Sequence, residues 1–401
     1  MPAILQFLLV AVPSFIVVLS LVVFVHEFGH FQVARWRGVA IDTFSIGFGK
    51  TILGWRDKHG VQWKIGALPL GGYVKFADDA DAMSTAPAER IDDPVALEEA
   101  RKKGLFHAQG LTTRSLVVSA GPVTNFIFSI LTFAALALVI GEDRTDYDHI
   151  PARVGEVQAN SAAAAAGLRR GDVVVAINGV ATPAFRDLQT IVTRSPGVHL
   201  ALQVKRGDQI VALNATPGRR EVADSAGHKA GQGFLGVGPS ILPSEYNYKH
   251  FNPIEAIGYG AVRSWSMVAQ TATYVADIVT GKASGNQIAG PTGIMMVSGQ
   301  VANAALDVPN KSLLERLGLV ALNLLNLAAV LSVAVGIVNL LPIPILDGGH
   351  LLFYGIEGLR GGRPLPPSAQ EWAYRAGFAV MASLFLFATW NDITRLLPGA
   401  Q

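Results

Sequence analysis

His26, Glu27 and His30 stand in the pattern His26-Glu27-Phe28-Gly29-His30, directly after an uncharged apolar run from Ala3 to Val25. On a helix, residues four apart share a face, so both imidazoles can point at one ion. Glu27 lies beside them, placed to hold a water and take its proton. Two imidazoles with an adjacent carboxylate form the core of a zinc hydrolase. The 23 residues of the apolar run are about the length that crosses a ~30 Å hydrocarbon core at ~1.5 Å rise per residue. The motif therefore falls at or inside a membrane. The plain alternative for a histidine on an apolar face is a hydrogen-bonded core residue. Three ionisable groups within five positions of a lipid-depth segment, each costly there, weigh against it.

A catalytic zinc takes a third protein ligand and keeps a fourth position for water. The chain has no cysteine, so ligands must come from His, Asp or Glu. Three further runs, Ser115 to Ile140, Leu317 to Leu346 and the shorter Ala376 to Asn391, complete a set of four spans, the last extended by a tilted helix starting near Gln370. The first span runs inward to His30 and the third runs inward to Asp347, so the two can meet at one leaflet. Asp347 lies in Asn339-Leu340-Leu341-Pro342-Ile343-Pro344-Ile345-Leu346-Asp347-Gly348-Gly349-His350. Pro342 and Pro344 stop the helix, which predicts extended or kinked chain around Asp347. A carboxylate at a broken membrane helix is expensive unless it binds something; its plain role would be a helix-end cap. His350 is a rival ligand closer to water, and His107 has no comparable setting.

The composition, 50% hydrophobic and 15% charged against about 25% charged in soluble domains, is that of an integral membrane protein. A net charge of +2 argues against nucleic acid as a partner. The N-terminal run lacks a basic leader and a small-residue cleavage site, so it reads as a permanent span. Arg35, Arg37, Lys50, Arg56, Lys58, Lys64, Lys75, Arg90, Arg101, Lys102 and Lys103 crowd the loop after it, which places that loop in the cytoplasm.

The expected organisation is a first span at 1–30, a cytoplasmic-side loop at 31–114, a second span at 115–141 and an outside module at 142–245. An amphipathic membrane-surface helical segment follows at 246–316, then a third span at 317–350, a cytoplasmic loop at 351–375, and the fourth span and C-terminus at 376–401. Within the first loop, Ile41 to Gly49 and Ile65 to Val74 read as strands of a hairpin that can dip into the membrane only where it lines protein or a watery cavity. The acidic stretch Ala77 to Glu99 reads as a mobile loop. The outside module holds the strand Val173 to Ile177, a helix from Phe185 to Thr193, and strands at Leu200 to Lys205 and Gln209 to Asn214, a small β-rich unit. Pro253 to Lys282 reads as an amphipathic helix on the outer surface, with a fifth span as the alternative.

With His26-Glu27-Phe28-Gly29-His30, the later N-x-x-P-x-P-x-x-D-G, and Gly121-Pro122-x-x-Asn125 in the second span, nearly the whole chain resembles the site-2 protease family of intramembrane zinc metalloproteases. It looks most like the bacterial regulator of sigma-E protease group. The resemblance implies one zinc ion held by His26, His30 and Asp347, with Glu27 as general base and Asn339 positioning substrate or the oxyanion. It implies substrate contacts at Gly47, Phe48, Gly49, Pro69, Leu70, Gly71, Gly72, Tyr73 and Asn125. The outside module resembles a periplasmic, circularly permuted PDZ-like α+β domain with a groove at Phe185, Phe234, Leu235, Gly236 and Val237. One such module is found here, where the sigma-E type has two.

The implied protein is thus a polytopic α-helical enzyme of the bacterial inner membrane, with about four spans, a membrane-associated β-hairpin and an active site near the cytoplasmic leaflet. Its implied substrates are single-span membrane proteins, such as an anti-sigma factor already trimmed by an upstream site-1 protease, or signal-peptide remnants, met within the lipid bilayer. Two other classes compete. A non-catalytic PDZ-containing adaptor with a structural metal would have no need of Glu27. A metal transporter would carry ionisable groups on several spans, whereas the second offers only Asn125.

Overall fold

The computed structural model describes residues 7–77, 93–223 and 229–396. Among the described residues, four helices are long and apolar enough to cross a membrane: Phe7–Trp36, Leu111–Val139, Leu313–Asn339 and Pro367–Thr394. They fit a polytopic membrane protein and are called the first to fourth membrane helices below. The chain divides into two compact units, one built from residues 1–137, 252–276 and 287–394, the other from 138–251, 277–286 and 395–401.

In the first unit, Val18 and Val22 of the first membrane helix pack against Leu324 and Ala328 of the third and Ala302 of a shorter helix, Pro291–Leu306. Gly299 of that shorter helix has no room for a side chain against Ala11. Its N-terminal N–H groups at Gly290 and Gly293 donate to the buried Asp392 carboxylate of the fourth membrane helix at 3.0 and 2.8 Å. A carboxylate at a helix N-terminus meets both unpaired donors and the positive end of the helix dipole. Pro253–Val279 is a helix whose Gly260 lies directly on the backbone of Ile130 in the second membrane helix, with Arg263 stacked on Phe133 at 4.5 Å.

The hairpin is more elaborate than its sequence pattern predicts. Strands Ile41–Arg56 and Gln62–Phe76 each bend, so that 41–48 pairs on one side with 72–76 and on the other with 62–65, while 51–56 pairs with 62–66. The result is an antiparallel sheet of four segments. The bends fall at Gly47 and Gly49, with φ of 84° and 82°, and at Gly71, with φ of 138°, conformations that glycine adopts without strain. Phe44, fully buried, joins Phe31 and Trp63 in an aromatic cluster that fastens the sheet to the first membrane helix.

Two segments expected as loops are partly helical. Most of the acidic stretch, 78–92, lies outside the described residues, but Pro94–Lys102 is a helix capped by Asp93, which accepts from the Val95 N–H. The Asp-Pro start signal, read here only as acidic composition, is the physical reason. Likewise Asp347–Leu359 forms a helix inside the expected 317–350 span and 351–375 loop, and the fourth membrane helix already begins at Pro367.

The second unit centres on a four-stranded antiparallel sheet in the order Val180–Ala181, Val173–Ile177, Leu200–Arg206, Gln209–Ala215. Leu200, Leu202 and Val204 alternate inward onto a core with Val174, Ile177 and Leu188, the last from helix Phe185–Thr193. Gly218–Ala223 pairs with Lys229–Phe234, and Val237–Pro239 pairs with Val154–Val157. Asp172 is buried, yet Arg206 donates to both of its oxygens at 2.8 and 2.7 Å and the Arg169 N–H donates at 2.8 Å. Burial favours the neutral acid, but Arg206 and the Arg169 N–H outweigh it and hold this carboxyl below its ordinary range.

Candidate metal centre

His26 and His30 share one face of the first membrane helix, and Asp347, 317 residues beyond His30, is brought to them as the first residue of its helix. The distance from His26 Nε2 to His30 Nε2 is 3.2 Å. Asp347 Oδ2 lies 3.2 Å from the first and 3.4 Å from the second. A tetrahedral zinc with ligands at about 2.0–2.2 Å needs donor atoms roughly 1.63 times that distance apart, about 3.4 Å. The three atoms are therefore spaced as one face of such a tetrahedron. Asp347 Oδ2 is also buried, and among the described residues no donor of acceptable geometry reaches it. A buried carboxylate oxygen without a partner is costly, and a cation at the centre of the triangle would supply one. The residues fit a divalent metal.

Backbone packing makes this convergence possible. A methyl group on Gly121 of the second membrane helix would overlap His30 Nε2 and His26 Cε1, and one on Gly29 would overlap Thr124 Oγ1 and the Ala120 carbonyl. Small residues facing each other let two membrane helices approach closely. Next to Asp347, Gly348 lies on the carbonyls of Leu340 and Leu341, and Gly349 on that of Ile343. The chain between, broken by Pro342 and Pro344, takes Ile345 to φ 141°, a strained value for a β-branched residue. The kinked approach that the prolines predict is present, and it delivers Asp347 to the first turn of a helix.

The histidine nitrogens that face away from the triangle are both held. His30 Nδ1 lies 2.8 Å from the Val117 carbonyl. Because a carbonyl only accepts, Nδ1 carries the proton and Nε2 keeps its lone pair. His26 Nδ1 lies 3.1 Å from the Asn125 amide. The Val117 carbonyl left no mark in the sequence, since main-chain groups carry no residue-type signal.

Glu27 is beside the triangle. The Cβ position of Gly72 would fall 3.1 Å from Glu27 Cγ, and the Val74 N–H faces the Glu27 carboxylate. The edge segment 72–76 thus borders Glu27. Gly47, Phe48, Gly49, Pro69, Leu70, Gly71 and Tyr73 belong to the same sheet and its bends, with Phe48 and Tyr73 stacked at 6.1 Å. Asn125 lies apart from the sheet, its side chain fully buried against His26. Asn339 is the last residue of the third membrane helix, partly buried, and makes no hydrogen bond to the three donors among the described residues. His350 packs between Tyr354 and Tyr374, outside the donor group.

In the second unit, Phe185, Phe234, Leu235, Gly236 and Val237 line a single cleft of about 280 Å³ with Leu188 and Val192. This cleft runs between helix Phe185–Thr193 and the chain 232–237.

Four membrane-length helices together with a His–His–Asp donor group and the glutamate next to His26 define a membrane metallopeptidase. The chain belongs to peptidase family M50, the site-2 protease family, whose sequence profile matches residues 14–384. It is 40% identical over 385 residues to a candidate zinc metalloprotease of Rhizobium meliloti, spanning 96% of each chain. It is 37% identical over 394 residues to metalloprotease MmpA of Caulobacter vibrioides, again spanning 96% of each. It is 30% identical over 475 aligned positions to the regulator of sigma-E protease RseP of Salmonella typhimurium, spanning 96% of this chain and 98% of the relative.

Proposed function

We propose that this chain is a zinc-dependent intramembrane protease that cuts single-span membrane proteins within the bilayer. The observation that carries the reading is the donor triangle of 3.2, 3.2 and 3.4 Å with Glu27 at its side. His26, His30 and Asp347 would hold one zinc ion, which when bound acidifies a coordinated water and polarises the scissile carbonyl. Glu27 takes the proton of the attacking water and returns it to the leaving amine. Asn339, at the end of the third membrane helix, is the proposed partner of the developing oxyanion.

A transmembrane helix hides its amides in its own hydrogen bonds, so a substrate must unwind before it can be cut. The sheet of residues 41–76 offers replacement bonds by strand addition, and its edge segment 72–76 runs beside Glu27. Gly47 to Gly49 and Pro69 to Tyr73 form the bends that would shape this channel. The second unit reads as a circularly permuted PDZ-like domain on the periplasmic side of an inner-membrane enzyme, its 280 Å³ cleft the peptide groove. By likeness to the sigma-E regulator, the proposed substrate is an anti-sigma factor already trimmed by a site-1 protease, with the module excluding uncut proteins. The alignment to that Salmonella relative runs over 475 positions, more than the 401 residues here, consistent with a single module in this chain.

The test is cleavage of a pre-trimmed single-span anti-sigma substrate in liposomes by wild type, Glu27→Gln and Asp347→Asn. Wild type should cut within the span, Glu27→Gln should hold zinc without cutting, and Asp347→Asn should lose both. Equal behaviour of all three would leave an adaptor with a structural metal as the reading.

A further inference from the structure

Asn125 has its amide against the outer nitrogen of His26, Nδ2 to Nδ1 at 3.1 Å, and its side chain is fully buried. With Nδ2 toward the ring, the amide donates to Nδ1, and the proton of neutral His26 must then sit on Nε2, the atom that faces His30 and Asp347. The same orientation leaves Asn125 Oδ1 buried without a partner among the described residues. The two ends of an amide have the same shape, and their assignment follows from the hydrogen bonds they make. A half-turn of the amide places Oδ1 against Nδ1. That one change gives the orphaned oxygen a donor, moves the imidazole proton to Nδ1 and frees the Nε2 lone pair.

We propose that Asn125 is a positioning residue whose side-chain oxygen accepts from His26 Nδ1–H, fixing the tautomer and ring orientation in which Nε2 can bind a metal. The inference rests on the metal-centre reading above and adds to it the group that prepares His26. His30 receives the same service from the Val117 carbonyl at 2.8 Å, so the two ligands are matched, one by main chain and one by side chain. Asn125 is itself braced: the hydroxyls of Ser129 and Ser332 donate to its backbone carbonyl at 2.9 and 3.1 Å, and both serines are fully buried. Ser332 belongs to the third membrane helix, so the second helix is tied at Asn125 to the third as well as to His26 of the first.

The experiment is zinc affinity of the full-length protein in detergent, by chelator competition, for wild type, Asn125→Leu and Asn125→Asp. Leucine keeps the volume and removes the acceptor; aspartate accepts and cannot donate. Loss of an outer hydrogen bond to a ligating histidine weakens metal binding about 10–100-fold, which is the result expected for Asn125→Leu, whereas Asn125→Asp should stay within about threefold of wild type. Unchanged affinity in Asn125→Leu overturns the proposal. So does an equal loss in both variants with wild-type elution and melting, because the amide would then be a donor. Should either variant fail to fold, the metal-free wild type labelled with ¹⁵N-histidine decides: neutral His26 and His30 should both carry their proton on Nδ1, and a proton on Nε2 of His26 overturns the proposal. A wild type that binds no zinc would instead sink the metal-centre reading itself, and this inference with it.

Discussion

Asp172, a buried residue, and Asp347, whose Oδ2 is buried, lie in different units of one chain, and their surroundings differ in kind. Asp172 has every strong partner it needs: Arg206 on both oxygens, the Arg169 N–H on one, and Arg206 reaching on to the Gly167 carbonyl. It ties the loop 167–172 to the strand 200–206 and has nothing left to offer. Asp347 faces two imidazoles with its Oδ2 lacking a hydrogen bond, on a chain strained at Ile345. A buried polar group that serves the fold is satisfied within the fold, whereas one that serves chemistry is left short of a partner. Burial alone does not separate the two; the donor count does.

The largest effect that would sharpen this contrast is on catalysis. Glu27→Gln should lower the cleavage rate by about 10²–10⁴-fold, the span of general-base contributions, while leaving zinc content unchanged by metal analysis. Removing the two aspartates should then act in opposite currencies. Asp172→Ala should destabilise the second unit by roughly 2–3 kcal/mol, since Arg206 loses its buried partner, read as lost hydrogen-exchange protection in strands 173–177 and 200–206. Asp347→Asn should abolish stoichiometric zinc binding without lowering the melting temperature of the metal-free protein; a large drop would show that Asp347 is structural after all. Gly121→Ala should cost about 1–3 kcal/mol as an overpacked contact and displace both histidines, so zinc affinity should fall together with melting temperature.

The smallest effect is in pH. Because the folded pKa of Asp172 is depressed, its contribution is present above the ordinary carboxyl pKa and is lost as pH falls toward the folded value. Exchange protection of strands 173–177 and 200–206 should therefore decline as pH drops below about 4, and the slope should flatten in Asp172→Asn.

Much of the site was legible in residue types and spacing. His26 and His30 share a helix face by period alone, and the depth argument that led from His30 to Asp347 needed only apolar run lengths and two prolines. In the second unit, Phe185 and, distant from it in sequence, Phe234, Leu235, Gly236 and Val237 line one cleft. Other features were beyond the reach of the sequence. A motif position does not say which way the Asn125 side chain turns, and in the structure it turns to His26. Alternation shows that a segment is extended but not that it bends at Gly47, Gly49 and Gly71 to pair with two neighbours. Nor does the sequence mark the helix Pro291–Leu306 within the 246–316 segment, although it packs against the first and third membrane helices.

By itself, then, the sequence determined what depends on local order: three apolar runs of membrane length and a shorter fourth, an i and i+4 histidine pair with its glutamate, and a proline-broken approach to a lone aspartate. These follow from hydrophobic period, helical rise and backbone chemistry, which act over a few residues. Only the tertiary structure decided which far residues complete the site. Val117 and Asn125 orient the histidines, Gly121 admits them, and Gly348 and Gly349 seat Asp347. Such pairings join segments up to hundreds of residues apart and are selected by close packing among helices, where the fit of one side chain depends on all its neighbours at once.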